Sequence, residues 1–272
     1  MEEHIRSLQN PLVKQGLRLQ QKASERRKTG LFVAEGRREV SLALSHGFQP
    51  GRLLVCREIY EPDPHYPIHF PPQISSTVSR AVYNKLAWRS DAEGVILVGH
   101  QKNLSPKDLV LPESPFILLL EALEKPGNLG AVLRTADAAG VDAVILADAA
   151  TDLYNPNAIR SSLGCVFTLP IASCSGEEAM NWLSGQGSSP VRSKPEVIAA
   201  SLQASLDYYG VDMTGSIVLA FGAEDKGLSP LWQSRASRLV RIPMAGSIDS
   251  LNLSASVAIL CYEAVRQRIG RQ

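Results

Sequence analysis

The 272-residue chain is 44% apolar and 20% charged, with a formal net charge of +1. That is the balance of a soluble globular protein with enough chain for one large or two ordinary domains. It excludes a strongly cationic or anionic tail protein, and no apolar run reaches the length of a membrane span. The opening MEEHIRSLQNPLVK has no apolar h-region, so a cytoplasmic protein is expected. Charge is unevenly placed. Residues 1–105 hold 15 Lys/Arg against 10 Asp/Glu, a net of +5, and residues 106–272 hold 13 against 17, a net of −4. A basic front half suits a polyanion, and equally a solvated helix face. Cys56, Cys165, Cys174 and Cys261 lack metal-ligand spacing and are expected to be reduced thiols, so no metal is predicted.

In chain order, Asn10 and Pro11 open a predicted helix over 11–28 that is rich in Lys14, Arg18, Lys22, Arg26, Arg27 and Lys28. A strand follows at 31–34, then Glu35-Gly36-Arg37-Arg38 turns into a helix ending at Gly47. Further strands are predicted at 53–56 and 94–98, with a helix over 78–86. Five prolines make 61–72 a loop. This alternation predicts a small α/β domain over 1–105, and the polar segment 100–115 reads as a linker.

The domain over 106–272 opens on FILLLE at 116–121, a continuous apolar run suited to a strand buried on both faces of a parallel sheet. Gly127, Asn128 and Gly130 predict a tight turn before a helix over 131–139, which Gly140 ends. Strands are predicted at 143–147, 166–171, 196–200, 216–221 and 239–242, with a helix at 155–163. Ser184 to Pro195 reads as an exposed loop. A closing helix carries the stripe Leu253, Val257, Leu260, Cys261, Ala264 and Val265, with Asn252 or Ser250 as its cap. The βα repeat implies a largely parallel sheet, in which ligands lie beyond the carboxyl ends of the strands. Three polar loops fall at such ends: 125–130, 222–227 and 243–252.

All five histidines lie in the first hundred residues, so the back half cannot build a Ser-His-Asp or Cys-His device from its own residues. His65 and His69 have metal-helix spacing, but Pro62, Pro64 and Pro67 forbid a helix there. No G-x-G-x-x-G follows a strand, and GAEDKGL lacks the Lys-Ser/Thr of a Walker A loop. The remaining chemistry sits on Asn128, Arg134, Glu224, Ser250 and Asn252. Arg134, within AVLRTADAA, is expected to be paired or to bind an anion, against the plainer reading of a solvent-facing Arg. Glu224 is its candidate partner, or simply part of an exposed Glu-Asp-Lys turn. Gly222, Gly227 and Gly246 fall at strand ends, where backbone can approach a ligand closely.

These loops resemble the SpoU/TrmH branch of the SPOUT class, the S-adenosyl-L-methionine-dependent RNA ribose 2′-O-methyltransferases. Asn-x-Gly-x-x-x-Arg reads Asn128, Gly130, Arg134. Gly-x-Glu-x-x-Gly-Leu reads Gly222, Glu224, Gly227, Leu228. Ile-Pro-Met-x-Gly and Ser-Leu-Asn-x-Ser read Ile242, Pro243, Met244, Gly246 and Ser250, Leu251, Asn252, Ser254. NPLVK and FVAEGRREV also resemble the family's ribosomal-protein-like (L30e-like) substrate-binding domain.

The resemblance implies an α/β carboxyl-terminal domain with a mostly parallel sheet and a deep trefoil knot around 216–268. It implies a homodimer through the last helix. It implies S-adenosyl-L-methionine bound near Ala220, Phe221, Gly222, Ile242, Met244, Leu251 and Asn252. It further implies that Arg134, Asn128, Glu224, Ser250 and Asn252 act on a ribose of ribosomal or transfer RNA. Lys14, Arg18, Arg26, Arg27, Arg37 and Arg38 would grip the RNA. A catalytically silent RNA-binding protein and a base-directed methyltransferase are the alternatives.

Overall fold

The computed structural model describes residues 3–88, 92–185 and 194–270. The chain divides into two compact units. One comprises Met1–Asn103 with Asp152–Thr168, the other Leu104–Thr151 with Leu169–Gln272.

The first unit opens with β1 (Glu3–Ile5), α1 (Pro11–Gln21), α2 (Ala23–Thr29), β2 (Leu31–Glu35), α3 (Arg37–Ser45) and β3 (Pro50–Val55). It continues with β4 (Ser75–Val78), α4 (Arg80–Leu86) and β5 (Val95–His100). Its mixed sheet runs β1-β4-β3-β5-β2. The helix predicted over 11–28 is broken at Lys22, which is extended (φ −122, ψ 112). The break has a cause. Arg26 folds back, 2% exposed, and its guanidinium Nη1 donates to the carbonyls of Leu19 and Gln20 while Nε donates to Asp152 Oδ2 at 2.6 Å. It satisfies carbonyls that a helix end leaves without partners. The strand β4 was missed because SSTV carries no apolar alternation, although all four of its residues are buried.

The chain then runs through β6 (Phe116–Glu121), α5 (Pro126–Ala138), β7 (Ala143–Ala147), α6 (Pro156–Ser161) and α7 (Cys165–Thr168). The last two helices belong to the first unit. There Phe32, Phe48, Tyr154 and Phe167 form an aromatic cluster with centroids 5.0–6.3 Å apart. The strand expected at 166–171 is therefore corrected. Leu163 and Gly164 turn through positive φ, Phe167 enters the cluster on α7, and the strand β8 forms only at Ile171–Cys174.

The second unit closes with α8 (Gly176–Leu183), β9 (Glu196–Ala200), β10 (Leu206–Asp207), β11 (Ile217–Phe221), α9 (Pro230–Arg235), β12 (Arg238–Arg241) and α10 (Leu253–Ile269). Part of the loop expected at 184–195 lies outside the described residues. All pairings in the seven-stranded sheet β10-β12-β9-β11-β6-β7-β8 are parallel. The predicted linker is not all free chain: Leu109 is 6% exposed in this unit's core, and the Leu104 carbonyl accepts from Ser173 N.

Two features position the site. First, β12, β9, β11 and β6 are consecutive neighbours, so the loops after β6, β11 and β12 emerge at one edge of the sheet. Second, α10 packs on α5 and β11. Its stripe of Leu253, Val257, Leu260, Cys261 and Ala264 is buried within this chain, while Tyr262 and Ile269 are exposed on another face.

Candidate active site

The loop between β11 and α9 turns back on itself. Gly227 N donates to the Ala223 carbonyl at 2.8 Å, with Gly227 at φ 65. A Cβ on Gly222 would stand 2.0 Å from the Gly227 carbonyl carbon, so no other residue fits there without opening the turn. The turn presents Glu224, whose carboxylate is a hub. Lys125 Nζ donates to Oε2 at 2.5 Å. Oε1 accepts from Asn128 Nδ2 at 2.6 Å and from Asn252 Nδ2 at 3.1 Å. The Lys125 ammonium, first, and the Asn128 carboxamide hold the Glu224 carboxyl below its ordinary range, and the carboxylate in turn raises Lys125.

Each partner is placed by its own element. Pro126 starts α5, which puts Lys125 at the cap and Asn128 in the first turn. The tight turn predicted at 127–130 is therefore helix, because Pro at the first helical position loses no bond that the helix would have made. Asn252 caps α10: its Oδ1 accepts from Ser254 N at 2.9 Å, which leaves Nδ2 free to donate to Glu224. One side chain thus both starts a helix and joins three strand-end loops.

Beside this network lies a cavity of about 320 Å³. The expected Phe221, Gly222, Ile242, Met244, Ser250 and Leu251 all line it, together with Glu224. Ala220 and Asn252, also expected there, do not; Ala220 is fully buried inside β11, paired with Ala199 and Leu119, and Asn252 turns to Glu224. Ser201, Gln203, Gln233 and Arg241 also line the cavity and carry no sequence signal of their own. Arg241 is held by Asp207 at 2.9 Å, and Arg241 with Tyr209 lowers the Asp207 pKa. A second cavity of about 230 Å³ shares Ala223, Glu224 and Asp225 with the first and is bounded by Ala122, Lys125 and Asn128.

Arg134 is not in the network. Arg134 and Asn128 stand about 120° apart around the α5 axis at the helical pitch. Arg134 is exposed and, among the described residues, has no salt-bridge partner. The expected Arg134–Glu224 pair is replaced by Lys125–Glu224.

In the first unit, Lys14, Arg18 and Arg27 are exposed on α1 and α2. Arg37 donates to the Glu61 carbonyl at 2.9 Å, and Arg38 lies 5.7 Å from the Tyr66 ring centroid. Arg26 is the correction. A guanidinium 2% exposed, with Nε and Nη1 committed to Asp152 and two carbonyls, is closed off from a phosphate.

A parallel α/β sheet with a ligand-sized cavity and a polar network beyond its strand ends defines a protein that binds a nucleotide-like cofactor at a topological crevice. The chain belongs to the SpoU rRNA Methylase family, whose model matches residues 115–262. The model of the MRM3-like substrate binding domain matches residues 10–97. The chain is 29% identical over 259 residues to the 23S rRNA (uridine(2479)-2′-O)-methyltransferase of Streptomyces viridochromogenes, covering 90% of this chain and 86% of that one. It is 33% identical over 201 residues to the 23S rRNA (guanosine-2′-O-)-methyltransferase RlmB of Vibrio vulnificus, covering 72% and 78%. The AdoMet-bound rRNA methyltransferase structure from Sinorhizobium meliloti superposes with a TM-score of 0.83 at 30% identity, covering 97% of each chain.

The residues present fit S-adenosyl-L-methionine. The cavity mixes apolar walls from Phe221, Leu251 and Met244 with polar groups from Ser201, Gln203 and Glu224. Its Gly222 turn brings backbone to the wall where a Cβ could not stand.

Proposed function

We propose that the protein methylates a ribose 2′-hydroxyl in structured RNA, ribosomal or transfer, using S-adenosyl-L-methionine. One observation carries the reading: the cofactor-sized cavity and the Glu224–Asn128–Asn252 network share Glu224, which also lines a second cavity with Asn128. The cofactor, when bound, supplies an activated sulfonium methyl. The chain must then hold the ribose oxygen in line with it, and positioning alone is worth about 7–11 kcal/mol in favourable cases. Glu224 fixes the two carboxamides that orient the substrate, and Ser250 touches the ribose or the cofactor.

Arg134 anchors the target phosphate, and its charge lowers the hydroxyl pKa. It acts as a fixed positive charge beside the developing alkoxide and takes no proton; the hydroxyl proton passes to water. The absence of a salt-bridge partner among the described residues leaves its donors open to an anion. Arg134→Ala is expected to lower methyl transfer to ribosomal RNA about 100-fold or more while melting temperature and cofactor affinity hold. Full methyl transfer by that variant sinks the assignment.

The remaining parts of the reading have separate support. Residues 1–105, joined in the fold by 152–168, form the RNA-gripping domain, of L30e-like kind, and the rest of 106–272 the transferase. The charge surplus of the front half and the exposed Lys14, Arg18 and Arg27 support the first, with Arg37 and Arg38 at its side. A deep trefoil knot is supported by the path of the chain. It passes out to β12 beyond β9 and then returns as α10 onto α5 and β11. A homodimer is supported by the outward Tyr262 and Ile269 of α10. A cytoplasmic place follows from the RNA substrate.

A further inference from the structure

Trp88 is the one large aromatic side chain more than half exposed among the described residues of the first unit, at 51%. The other rings there have partners: Phe32, Phe48, Tyr154 and Phe167 bury one another, Tyr60 packs on Phe70, and Tyr66 lies against Arg38. The Trp88 backbone is nonetheless tied to the scaffold. It follows α4 directly, and its backbone N–H donates to Glu35 Oε2 at 2.6 Å. The other oxygen of Glu35 accepts from Tyr83 Oη at 3.4 Å, so this carboxylate is engaged by the scaffold. Beside the indole is a small cleft lined by Gln20, Val33, Glu35, Pro156, Ile159 and Arg160. Its volume of about 20 Å³ takes roughly one water, so a flat ligand would lie on the ring and not enter. Arg160 is exposed at the end of α6 and, among the described residues, has no salt-bridge partner.

An exposed ring whose backbone is tied to the scaffold, beside an exposed guanidinium, matches an unpaired nucleotide, with base on indole and phosphate on guanidinium. The net +5 of residues 1–105 fits a polyanion at this surface. We infer that Trp88 is a stacking platform for one unpaired base of the RNA substrate and that Arg160 takes the adjoining phosphate. This rests on the reading of the protein as an RNA methyltransferase and goes beyond it, because it predicts that the recognised RNA has a single-stranded base next to its structured part.

The full chain allows a direct test. Trp182 and Trp232 are 5% and 0% exposed, so quenching of tryptophan emission reports on Trp88. Titration with a single-stranded oligouridylate of about twelve nucleotides is expected to quench, and a duplex of equal length to quench much less. Trp88→Ala should weaken oligouridylate binding about tenfold with its salt slope unchanged, while Trp88→Phe retains most of the affinity. Arg160→Gln should reduce the salt slope by about 0.7, the value for one phosphate of a single strand. On ribosomal RNA, Trp88→Ala should raise KM and leave kcat alone, with an unchanged melting curve. Absence of quenching in the wild type overturns the inference. So does a Trp88→Ala protein with wild-type oligouridylate affinity, or one that has lost only self-association. The two failures are distinguishable: a wild type that methylates ribosomal RNA while Trp88→Ala keeps its KM refutes the platform alone. A wild type that is quenched by oligouridylate but transfers no methyl refutes the enzymatic reading alone.

Discussion

Replacing Glu224 tests whether the network positions substrate or merely ties loops together. Glu224→Ala removes the acceptor shared by Asn128 and Asn252 at 2.6 and 3.1 Å. These groups are solvent-accessible, so each bond is worth about 1 kcal/mol net, and the pair about 2 kcal/mol. If that energy goes into holding the two carboxamides for the transition state, kcat/KM for ribosomal RNA falls about 30-fold. Glu224→Gln should fall less. Its amide oxygen can still face the carboxamides, and it loses chiefly the Lys125 contact. The double variant Glu224→Ala/Asn128→Ala should be little worse than Glu224→Ala alone, because Asn128→Ala removes a bond that Glu224→Ala has already lost. The assay is initial methyl transfer with labelled donor, alongside calorimetric cofactor binding and thermal melting. Strict additivity of the two substitutions, or a Glu224→Ala enzyme with wild-type kcat/KM, would refute the reasoning. The pH dependence has a definite sign. Glu224 has a lowered folded pKa, so its stabilising contribution is complete above the ordinary carboxylate range. It is lost as pH falls through the lowered folded value. The gap in melting temperature between wild type and Glu224→Ala should be flat through neutrality and close only in acid.

Gly222→Ala should destabilise the second unit by about 3 kcal/mol or more and abolish cofactor binding, since its Cβ meets backbone at 2.0 Å; thermal melting and calorimetry read both effects. Asp152→Asn strips the buried Arg26 of its counter-charge and should cost about 3 kcal/mol by chemical denaturation, whereas exposed Arg27→Ala should stay within about 0.5 kcal/mol. Tyr262→Glu puts a charge on the outward face of α10 and should turn a dimer into a monomer by light scattering; a monomeric wild type would contradict the proposed assembly.

Where burial and periodicity coincide, the architecture was legible. FILLLE and the run at 143–147 became central strands β6 and β7, and the glycine turn at 222–227 fell beyond a strand end as predicted. The misses have local causes. The buried strand SSTV is written in hydroxyl residues, which sequence patterning assigns to a helix start or a loop. Phe167 had strand-like neighbours but was drawn into an aromatic cluster assembled from three distant segments. The missed helix α8 did have a signal: Ser175 and Glu178 form a reciprocal capping box that the spacing alone could have revealed.

The site shows how a small error in a boundary propagates into chemistry. Starting the helix at Ala131 leaves Asn128 in a loop and puts Arg134 one turn into the helix, near enough to the loops to suggest Glu224 as its partner. The helix in fact starts at Pro126. That start brings Lys125 to the carboxylate and turns Arg134 to another face of α5. The cation that neutralises Glu224 is therefore not the cation of the family motif. This division suits the reaction better than the expected pair. An Arg134 already bound to Glu224 would have to break a charge-assisted contact before meeting a phosphate, whereas Lys125 keeps the carboxylate ionised and leaves the guanidinium uncommitted. On the proposed mechanism, the same carboxylate can then go on orienting two carboxamides throughout the reaction, because no step requires it to release Arg134.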